Sequence, residues 1–554
     1  MFRIESYITS IILSYVDRYI KNFKRQDAQV SLWEGDGSLH NLDLDLEVLD
    51  QELNLPFSFV SGHIHELLIH VPWTRIGSEP VRITINTIEC IMKLKPPGQD
   101  VSTKREKKKK SQTGEEYVTP PSYMKSLVNK IIFNLSVTCN NLILKYVEED
   151  IVLSMNIKTL SLSTVNRNWE PEFSELSIAQ LILRNLVNLS DVTICLDKRN
   201  ASGRIESYLE PILYKCSLSI RISRTFPNPN STTATTTRIG IYCDNFALSI
   251  SEPQVPMLLR LFMLFQMVNK SPSVTNTPSQ LSLETTTDDT GQGSDSEGQY
   301  ESWSSWMWGF VPSILPLASE GTMIGAGEDL QMLHVGLYIN SFMLDLKLVG
   351  DVKTWESLGK VQFQNCFTEI SKNSNEWTNI QVGVSLVAIN PVPQFDKETY
   401  LSCGQVNNSF LKNSLFENPD TDFPQRAWEV HLSTITENYL VTRAPAISFD
   451  SLMALEVPAD SWSDNFLSEP RRKVLTRCVV GPLNINVTNG LIDRINVIME
   501  SINAYDYPVY SSFGSSTPDL SSLVKGEKKY FTESYIPKKI LQVTVCEANV
   551  RVYA

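Results

Sequence analysis

The stretch LNLPFSFVSGHIHELLIHVPWTRIGSEPVRITINTIECIMKL, residues 53–94, combines alternating apolar side chains with two proline steps. Proline has no backbone donor and holds the residue before it extended, so Leu55-Pro56 and Val71-Pro72 are expected at strand ends. Successive side chains of a strand point to opposite faces, so this alternation is typical of a sheet with one apolar face. The stretch therefore predicts strands bounded by proline.

An amphipathic helix is predicted at the N-terminus, where apolar residues recur every three or four positions with polar residues between them. Its apolar residues are Ile4, Ile8, Ile11, Ile12, Tyr15, Val16, Tyr19, Ile20 and Phe23. After Asp27 the period shortens towards two, so strands are expected to follow the helix. One such run has its apolar side chains at Leu42, Leu44, Leu46 and Val48.

Several landmark residues follow in order along the first 95 positions. They are Trp33 and Gly35 in SLWEGDGSLHNL, Leu55 and Pro56 in LNLP, and Gly62, Pro72, Trp73 and Pro80 in GHIHELLIHVPWTRIGSEP. In this order they resemble the chorein N-terminal region of the vacuolar protein sorting 13 family. The phrase SGHIHELLIHVPWTRIGSEPV is most similar to the branch that contains the Cohen syndrome protein. Beyond residue 95 the resemblance is looser.

Composition excludes some classes of protein. The formal net charge is −13, with 49 basic and 62 acidic side chains, which argues against a nucleic-acid partner. The nine cysteines include no C-x-x-C pair, and their odd number suits a reduced cytosol. The most apolar late run, Met257–Val268, is short and contains Arg260, so no membrane-spanning segment is expected.

At 554 residues the chain is too long for one ordinary core, so several segments are predicted. They are a chorein-type cap at 1–95, a basic flexible loop at 96–122, a β-groove repeat with a terminal helix at 123–270, a disordered Ser/Thr/Asp-rich linker at 271–300, and further β-groove repeats at 301–554, truncated at the C-terminus.

Two segments allow alternative interpretations. The charge run Lys104–Lys110 reads as a solvated loop, with contact to anionic lipid headgroups as the alternative. The tryptophan-rich ESWSSWMWGFVPSILP, residues 301–316, favours a short helix packed across the sheet, with an interfacial membrane or partner contact as the alternative.

The alternation switches phase at recurring positions. On one strand the apolar phase changes from odd to even numbers at Asn140-Asn141, and the same switch recurs at Asp244-Asn245, at Asn340-Ser341 and near Glu547. One inserted residue makes either a bulge that keeps the apolar face or a two-residue hairpin. The predicted apolar-face residues are Ile131, Phe133, Leu135, Val137, Leu142, Leu144, Leu153, Met155, Leu218, Ile220, Ile239, Ile241, Phe246, Leu248, Val335, Leu337, Phe342 and Leu344.

Alternation alone leaves open what covers this face. Such a face is ordinarily covered by a second sheet, so that the two sheets form a sandwich. The family resemblance implies a different arrangement: a mostly β, elongated, antiparallel repeating β-groove with an N-terminal amphipathic helix cap and a few short helices, its concave face apolar.

The sequence contains no nucleophile elbow, phosphate-binding loop or dinucleotide fingerprint, so no enzyme activity and no cofactor are expected. Three of the six histidines, His63, His65 and His70, lie close together. Simple alternation puts His63 and His65 on one strand face and His70 on the other, and no acidic or cysteine ligand completes the spacing, so no metal site is predicted.

The resemblance implies the N-terminal part of a bridge-like lipid transfer protein that carries glycerophospholipids between apposed membranes, in vesicle trafficking and Golgi organisation. It implies a cytoplasmic, peripheral membrane protein of the Golgi and endosomal system, at contact sites with the endoplasmic reticulum, with a scramblase or trafficking protein at its N-terminal end. The alternative is a β-rich scaffold or tether that transfers no lipid.

Overall fold

The computed structural model describes residues 2–21, 35–95, 122–268, 332–349, 355–373, 377–391, 399–404, 445–456, 471–503 and 539–552, apart from Asn54, Pro56, Leu176, 178–180, Ala201, Gly203, Tyr208, Asn230 and 232–233. The described chain is mostly β, with an antiparallel-dominated open sheet and a few short helices, which confirms the predicted fold class. Its helices are α1 Phe2–Tyr19, α2 Leu46–Leu53, α3 Ser122–Phe133, α4 Gln254–Val268 and α5 Asn489–Asn503.

The chain divides into two compact units, and the first comprises Met1–Asp244 and Met257–Leu333. Its strands are β1 Asp36–Asp43, β2 Phe57–His70, β3 Arg82–Leu94, β4 Ser136–Glu148, β5 Ile151–Val165, β6 Ile182–Arg199, β7 Ile205–Ser207, β8 Leu213–Thr225 and the first part of β9 Thr236–Ser251. Neighbouring strands pair antiparallel from β1 to β8, except that β3 and β4 are parallel. Parallel strands need a crossover, and α3 lies in that connection.

The second unit comprises Asn245–Pro256 and His334–Ala554. It contains the end of β9 and the strands β10 Met332–Val349, β11 Trp355–Asn373, β12 Trp377–Asn390, β13 Leu401–Gly404, β14 Ile447–Glu456, β15 Arg471–Val480, β16 Leu483–Val487, β17 Lys539–Val545 and β18 Ala548–Val552. β11 to β16 pair antiparallel, whereas β15 pairs with β17 and β16 with β18 in parallel.

The N-terminal helix forms as predicted, and its apolar side covers the first strands of the first unit. Ile8, Leu13 and Ile20 of this helical segment are buried. They share one core with Leu44, Ile64, Leu67, Ile69, Val71, Val81, Cys90 and Ile131. The first unit therefore has its most complete core where the helix meets β1, β2 and β3.

Two predicted strand runs contain helices instead. Leu46 and Val48 lie in α2, because the Asp45 carboxylate accepts hydrogen bonds from the backbone N–H groups of Glu47 and Val48 at 3.1 and 3.4 Å and so caps a helix start. Ile131 and Phe133 end α3, and the strand begins only at Ser136. A short apolar run fits either period, so alternation alone misassigned both.

The other predictions from the sequence are partly confirmed and partly lie outside the described residues. The helix expected at the end of 123–270 is confirmed by α4, and β2 begins at Phe57 and ends at His70, so it lies between the two proline steps of the sequence. Ser122, the last residue of the predicted loop 96–122, instead begins α3. The rest of that loop, the linker at 271–300, the tryptophan-rich segment 301–316, and Phe23, Trp33 and Pro56 lie outside the described residues. The remaining segment boundaries stay predictions.

Candidate functional site

The phase switches lie within continuous strands. β4 runs without a break through Asn140-Asn141, β9 through Asp244-Asn245, and β10 through Asn340-Ser341. Of the two predicted alternatives, the hairpin is therefore wrong at these three positions, and the bulge stays a prediction at Asp244-Asn245 and Asn340-Ser341. At Asn141 the backbone is left-handed (φ 64°), and the strand keeps its register on both sides of this residue. The switch near Glu547 is neither, since it separates β17 from β18, which pair with different strands.

In the first unit residues with left-handed backbone line up in a row that crosses the sheet without shifting the register, and we call it the bulge row. Thr87 and Asn141 occupy the same step of the β3–β4 register, between the pairs Asn86–Asn140 and Ile88–Leu142. Positive φ angles mark this row at Asn41 (51°), Thr87 (56°), Asn141 (64°) and Asp191 (51°). A bulge bends its strand and increases the local twist, so a row of bulges bends neighbouring strands together.

The second unit also has a left-handed residue within a paired strand, and the strand pairing changes beside it. Asn365 of β11, at φ 48°, lies opposite Ser385 of β12. Beyond Ser385 the partner of β12 changes, since Val384 pairs with Ile447 of β14 and Leu386 with Gly404 of β13. Gly404 has φ 75°, and a Cβ there would lie 2.3 Å from the backbone of Ala446 and of Ser385, so only glycine fits.

Because each bulge preserves the phase, one face of the sheet in the first unit stays apolar. Cross-strand partners share a face, and on this side apolar residues oppose one another. The pairs are Ile88–Leu142, Leu142–Ile157, Leu144–Met155, Leu153–Leu196, Leu189–Leu218 and Val187–Ile220. We call this side the apolar face of the first unit.

The opposite side of the same strands is polar. Glu66, Asn86 and Asn140 form a hydrogen-bonded ladder across β2, β3 and β4, with N···O distances of 2.6 and 2.9 Å. Lys158 and Asp191 form an ion pair at 3.3 Å on this side. The sheet is therefore amphipathic, with its charged and amide groups facing away from the apolar face.

In the second unit an aromatic row carries the corresponding face. The Phe246 ring of β9 stacks on Phe342 of β10 with centroids 5.7 Å apart, and Phe342 meets Phe363 of β11 edge-on at 5.4 Å. These rings follow the apolar phase that also holds Leu248 and Leu344. Of the apolar-face residues predicted in the second unit, Phe246 and Phe342 are thus brought together on neighbouring strands.

The exposure of the predicted apolar-face residues distinguishes an open sheet from a sandwich. All of them are half-buried except Ile131, which is buried in the core under α1, and Leu337, which is 39% exposed. A facing sheet would bury such side chains at native packing density. Leu142, Leu218 and Ile241 are only half-buried, whereas Ile157 and Leu196 of the apolar face are buried, so the described protein residues cover this face in part. The role of these residues in binding stays a prediction.

The three histidines of β2 do not form a cluster, and His63 and His70 do not lie on different faces of the strand. His63 contacts Asp43 at 3.1 Å and His70 contacts Asp36 at 2.6 Å, each with its cross-strand partner on β1. The phase shift within β2 keeps Ile64 and Ile69 in the same core, so His63 and His70 lie on the same, opposite face, which corrects the simple alternation. No group of three metal-binding side chains occurs among the described residues.

The described landmark residues of the resemblance shape the cap. Gly35 has φ 101°, and its carbonyl accepts a 2.7 Å hydrogen bond from the backbone N–H of Val71. Gly62 lies against Leu44, where an added Cβ would be 3.0 Å from a Leu44 methyl. Pro72 precedes the short 3₁₀ helix Trp73–Arg75. The motif thus sets tight backbone approaches between β1 and β2.

One feature that the sequence analysis missed is a polar end to the apolar face. Thr164, Asn185 and Arg224 are buried at the ends of β5, β6 and β8. Arg224 continues the even-numbered apolar phase of Leu218, Ile220 and Ile222. A charged residue in an apolar phase is the signal that could have found it.

An amphipathic sheet with an open apolar side and a helix-covered first core is typical of proteins that present an extended apolar surface. Among the described residues, no helix is long and apolar enough to cross a membrane. Residues 3–232 match the family described as the VPS13-like family N-terminal region.

The chain is 32% identical to the "Intermembrane lipid transfer protein VPS13B" of Mus musculus and to that of Homo sapiens, over 99% of the chain and 16% of each relative. It is 28% identical to the "Intermembrane lipid transfer protein VPS13" of Chaetomium thermophilum over 31% of the chain and 6% of that relative. The chain belongs to the VPS13 family, and it spans 16% of the length of the first two relatives.

Proposed function

We propose that the apolar faces of this chain shield the acyl chains of glycerophospholipids, so that the chain acts as the N-terminal part of a bridge-like protein for bulk lipid transfer between apposed membranes. The half-buried apolar face is the observation that carries the proposal, since soluble proteins rarely leave a long apolar surface without a partner. The similar proteins named intermembrane lipid transfer proteins support it.

Physical chemistry supplies the mechanism. Each methylene removed from water contributes about 0.8 kcal/mol, so two acyl chains in water cost on the order of 20 kcal/mol. A continuous apolar face removes most of that barrier, while headgroups remain hydrated. Such transfer needs apolar contact and no reacting group, so we also propose that the chain is no enzyme.

The proposal includes a location and partners. We propose that the chain acts as a cytoplasmic, peripheral protein at membrane contact sites of the Golgi and endosomal system with the endoplasmic reticulum, with a scramblase or trafficking protein at its N-terminal end. The similar proteins named intermembrane lipid transfer proteins support a place between membranes, and the organelles and the partner are what the family resemblance implies. Proximity labelling from the N-terminus in cells would identify the membranes and proteins there, and labelling confined to other organelles would contradict it.

Lipid loading of paired variants tests the transfer surface. Leu142 and Leu218 lie on the apolar face, whereas their neighbours Ile143 and Ser219 point to the opposite side of the same strands. In the double variant Leu142→Asp/Leu218→Asp, native mass spectrometry should find bound phospholipid reduced by about tenfold, because a carboxylate disfavours contact with acyl chains.

The matched control is Ile143→Asp/Ser219→Asp, which adds the same charges to the opposite side and should retain its lipid. Circular dichroism checks that both variants fold. Parent protein that is stable but carries no lipid after lipid extraction and reloading would favour the alternative, a scaffold that transfers no lipid.

A further inference from the structure

A buried arginine lies at the end of the apolar face of the first unit. Arg224 is 6% exposed and stands one residue before the end of β8. Its cross-strand partner is Leu183, and Asn185 pairs with Ile222, so Arg224 shares the face of Leu183, Asn185 and Ile222. A permanent positive charge therefore occupies the face that otherwise presents methyl and methylene groups.

The hydrogen bonds of this arginine use little of its capacity. A guanidinium nitrogen of Arg224 donates to Asn185 Oδ1 at 2.9 Å, and Nε of Arg224 is buried without an acceptor. Among the described residues, no carboxylate forms an ion pair with Arg224. Of the five N–H donors of a guanidinium, one thus meets a neutral acceptor and Nε meets none among the described residues.

The neighbouring groups compensate only part of the positive charge of Arg224. Asn185 Nδ2 donates to Thr164 Oγ1 at 3.2 Å, and the Thr164 hydroxyl donates to the Phe133 carbonyl at the end of α3, at 2.7 Å. The relay thus reaches the negative end of a helix, but only through two neutral side chains. Burial lowers the pKa of Arg224 to about 10, which reflects a charge that lacks compensation.

Two other arginines of the first unit, Arg260 and Arg221, have partners of their own. Arg260 binds Glu149 and Asp150, and Arg221, three residues before Arg224 and on the other side of β8, lies 5.1 Å from the centre of the Trp169 ring. Buried charges in proteins are normally paired. The lack of an anionic partner at Arg224 therefore points to an anion that comes from outside the chain.

We propose that Arg224, with Asn185 and Thr164, binds the phosphate of a glycerophospholipid whose acyl chains lie along Ile222, Ile220 and Leu218. The inference rests on the proposed function and assigns a headgroup position to it. The planar guanidinium suits a phosphate because it can donate two parallel hydrogen bonds to it.

The dimensions agree with this placement. Leu218 and Arg224 are six residues apart on one strand, which corresponds to about 20 Å of apolar surface leading from the charge. Because Arg224 is only 6% exposed, the phosphate reaches it when the side chains over it move. Phe226, two residues after Arg224, is also buried, and its ring lies 5.8 Å from that of Phe133.

A competition between two lipids tests the inference. Delipidated protein is loaded with an equimolar mixture of a phosphatidylcholine and the diacylglycerol with the same acyl chains, and bound lipids are counted by native mass spectrometry. Parent protein should prefer the phospholipid by about tenfold, the advantage expected of one well-made charged contact. The preference should fall to near unity in Arg224→Gln. It should be partly kept in Arg224→Lys, which retains the positive charge but not the two parallel donors of the guanidinium.

The control variant is Arg221→Gln, which removes a neighbouring arginine from the other side of β8 and should keep the preference. Inorganic phosphate serves as the second probe. If phosphate alone raises the melting temperature of the parent but not of Arg224→Gln, and no lipid preference exists, the anion is free phosphate and the headgroup assignment is overturned.

The remaining outcomes separate the two proposals. Failure to bind either lipid contradicts the proposed function. Binding of both lipids without preference in the parent contradicts the headgroup site alone, and this result decides the matter even if Arg224→Gln does not fold. An equal preference in folded Arg224→Gln and parent likewise overturns the site.

Discussion

At the residue scale, the bend of each strand depends on a few side chains that tolerate left-handed backbone. Asn141 has φ 64°, a region that asparagine adopts more readily than most residues, and its side-chain amide donates to Thr87 Oγ1 at 3.3 Å. Thr87, at φ 56°, adopts the same region with a β-branched side chain, which is uncommon. The two residues therefore hold the bulge row between β3 and β4.

A valine at position 141 tests this strain. Asn141→Val should lower the free energy of unfolding by about 1–2 kcal/mol, because a β-branched side chain is disfavoured at positive φ. Asn141→Gly should stay close to the parent, since glycine accepts this conformation. Urea denaturation of both variants gives the comparison, and equal stability of the valine variant and the parent would contradict the positive φ.

The apolar-face residues could be predicted from the sequence because a bulge preserves phase. Leu142 and Leu144 stand in the even phase and Val137 in the odd phase, and a single inserted residue explains both. The burial of Arg224 could not be predicted from this pattern, because a charged residue at the end of an apolar run also fits an exposed strand end. Only its burial distinguishes the two interpretations.

At the element scale, helix α4 is held to the β4–β5 turn by charge as well as by packing. Met257 and Leu261 of this helix are buried, and Arg260 binds Asp150 at 2.8 Å and Glu149. The Arg260 side chain is 27% exposed, so water and salt screen these ion pairs only in part. The helix therefore depends on one side chain that bridges two carboxylates.

Removal of that side-chain charge should loosen the helix. Arg260→Met is expected to lower stability by about 1 kcal/mol and to speed amide exchange over residues 257–264, with a smaller difference at high salt. Hydrogen–deuterium exchange measures this change. Lys158→Met removes a more exposed ion pair with Asp191 and should leave exchange in α4 unchanged; an equal effect of both variants would argue against the bridging role.

Helices α2 and α3 show where sequence patterns fail at this scale. The run that ends at Val48 alternates like a strand, but the Asp45 cap and the helical residues after it decide for a helix. In α3, Leu127 and Ile131 are four residues apart and both pack into the core under α1, which is helical spacing that the alternation of Ile131 and Phe133 concealed.

At the scale of the whole molecule, both units keep cysteine thiols in apolar surroundings. Burial raises the pKa of Cys90, Cys139 and Cys366 to about 11, from an ordinary value near 9, and the Glu89 carboxylate adds to the shift of Cys90. Two of these cysteines lie in the first unit and one in the second. The folded chain thus keeps these three thiols protonated well above neutral pH.

This burial predicts an alkaline loss of stability. Between pH 9 and about 11 the unfolded chain releases thiol protons that the folded chain retains, so the free energy of unfolding falls as pH rises through this range. Urea unfolding at pH 8 and at pH 10 measures the fall. The double variant Cys90→Ala/Cys139→Ala should show a shallower decrease, and an unchanged slope would contradict the thiol contribution.

The bulge row also has a consequence for how such a chain changes during evolution. Loss of one residue from a strand normally reverses the faces of everything beyond it. At Asn140-Asn141 the same loss would restore plain alternation, with Val137, Leu142 and Leu144 still on one side. A single-residue deletion is therefore expected to be least harmful along this line, because the apolar side chains before and after it stay on one face.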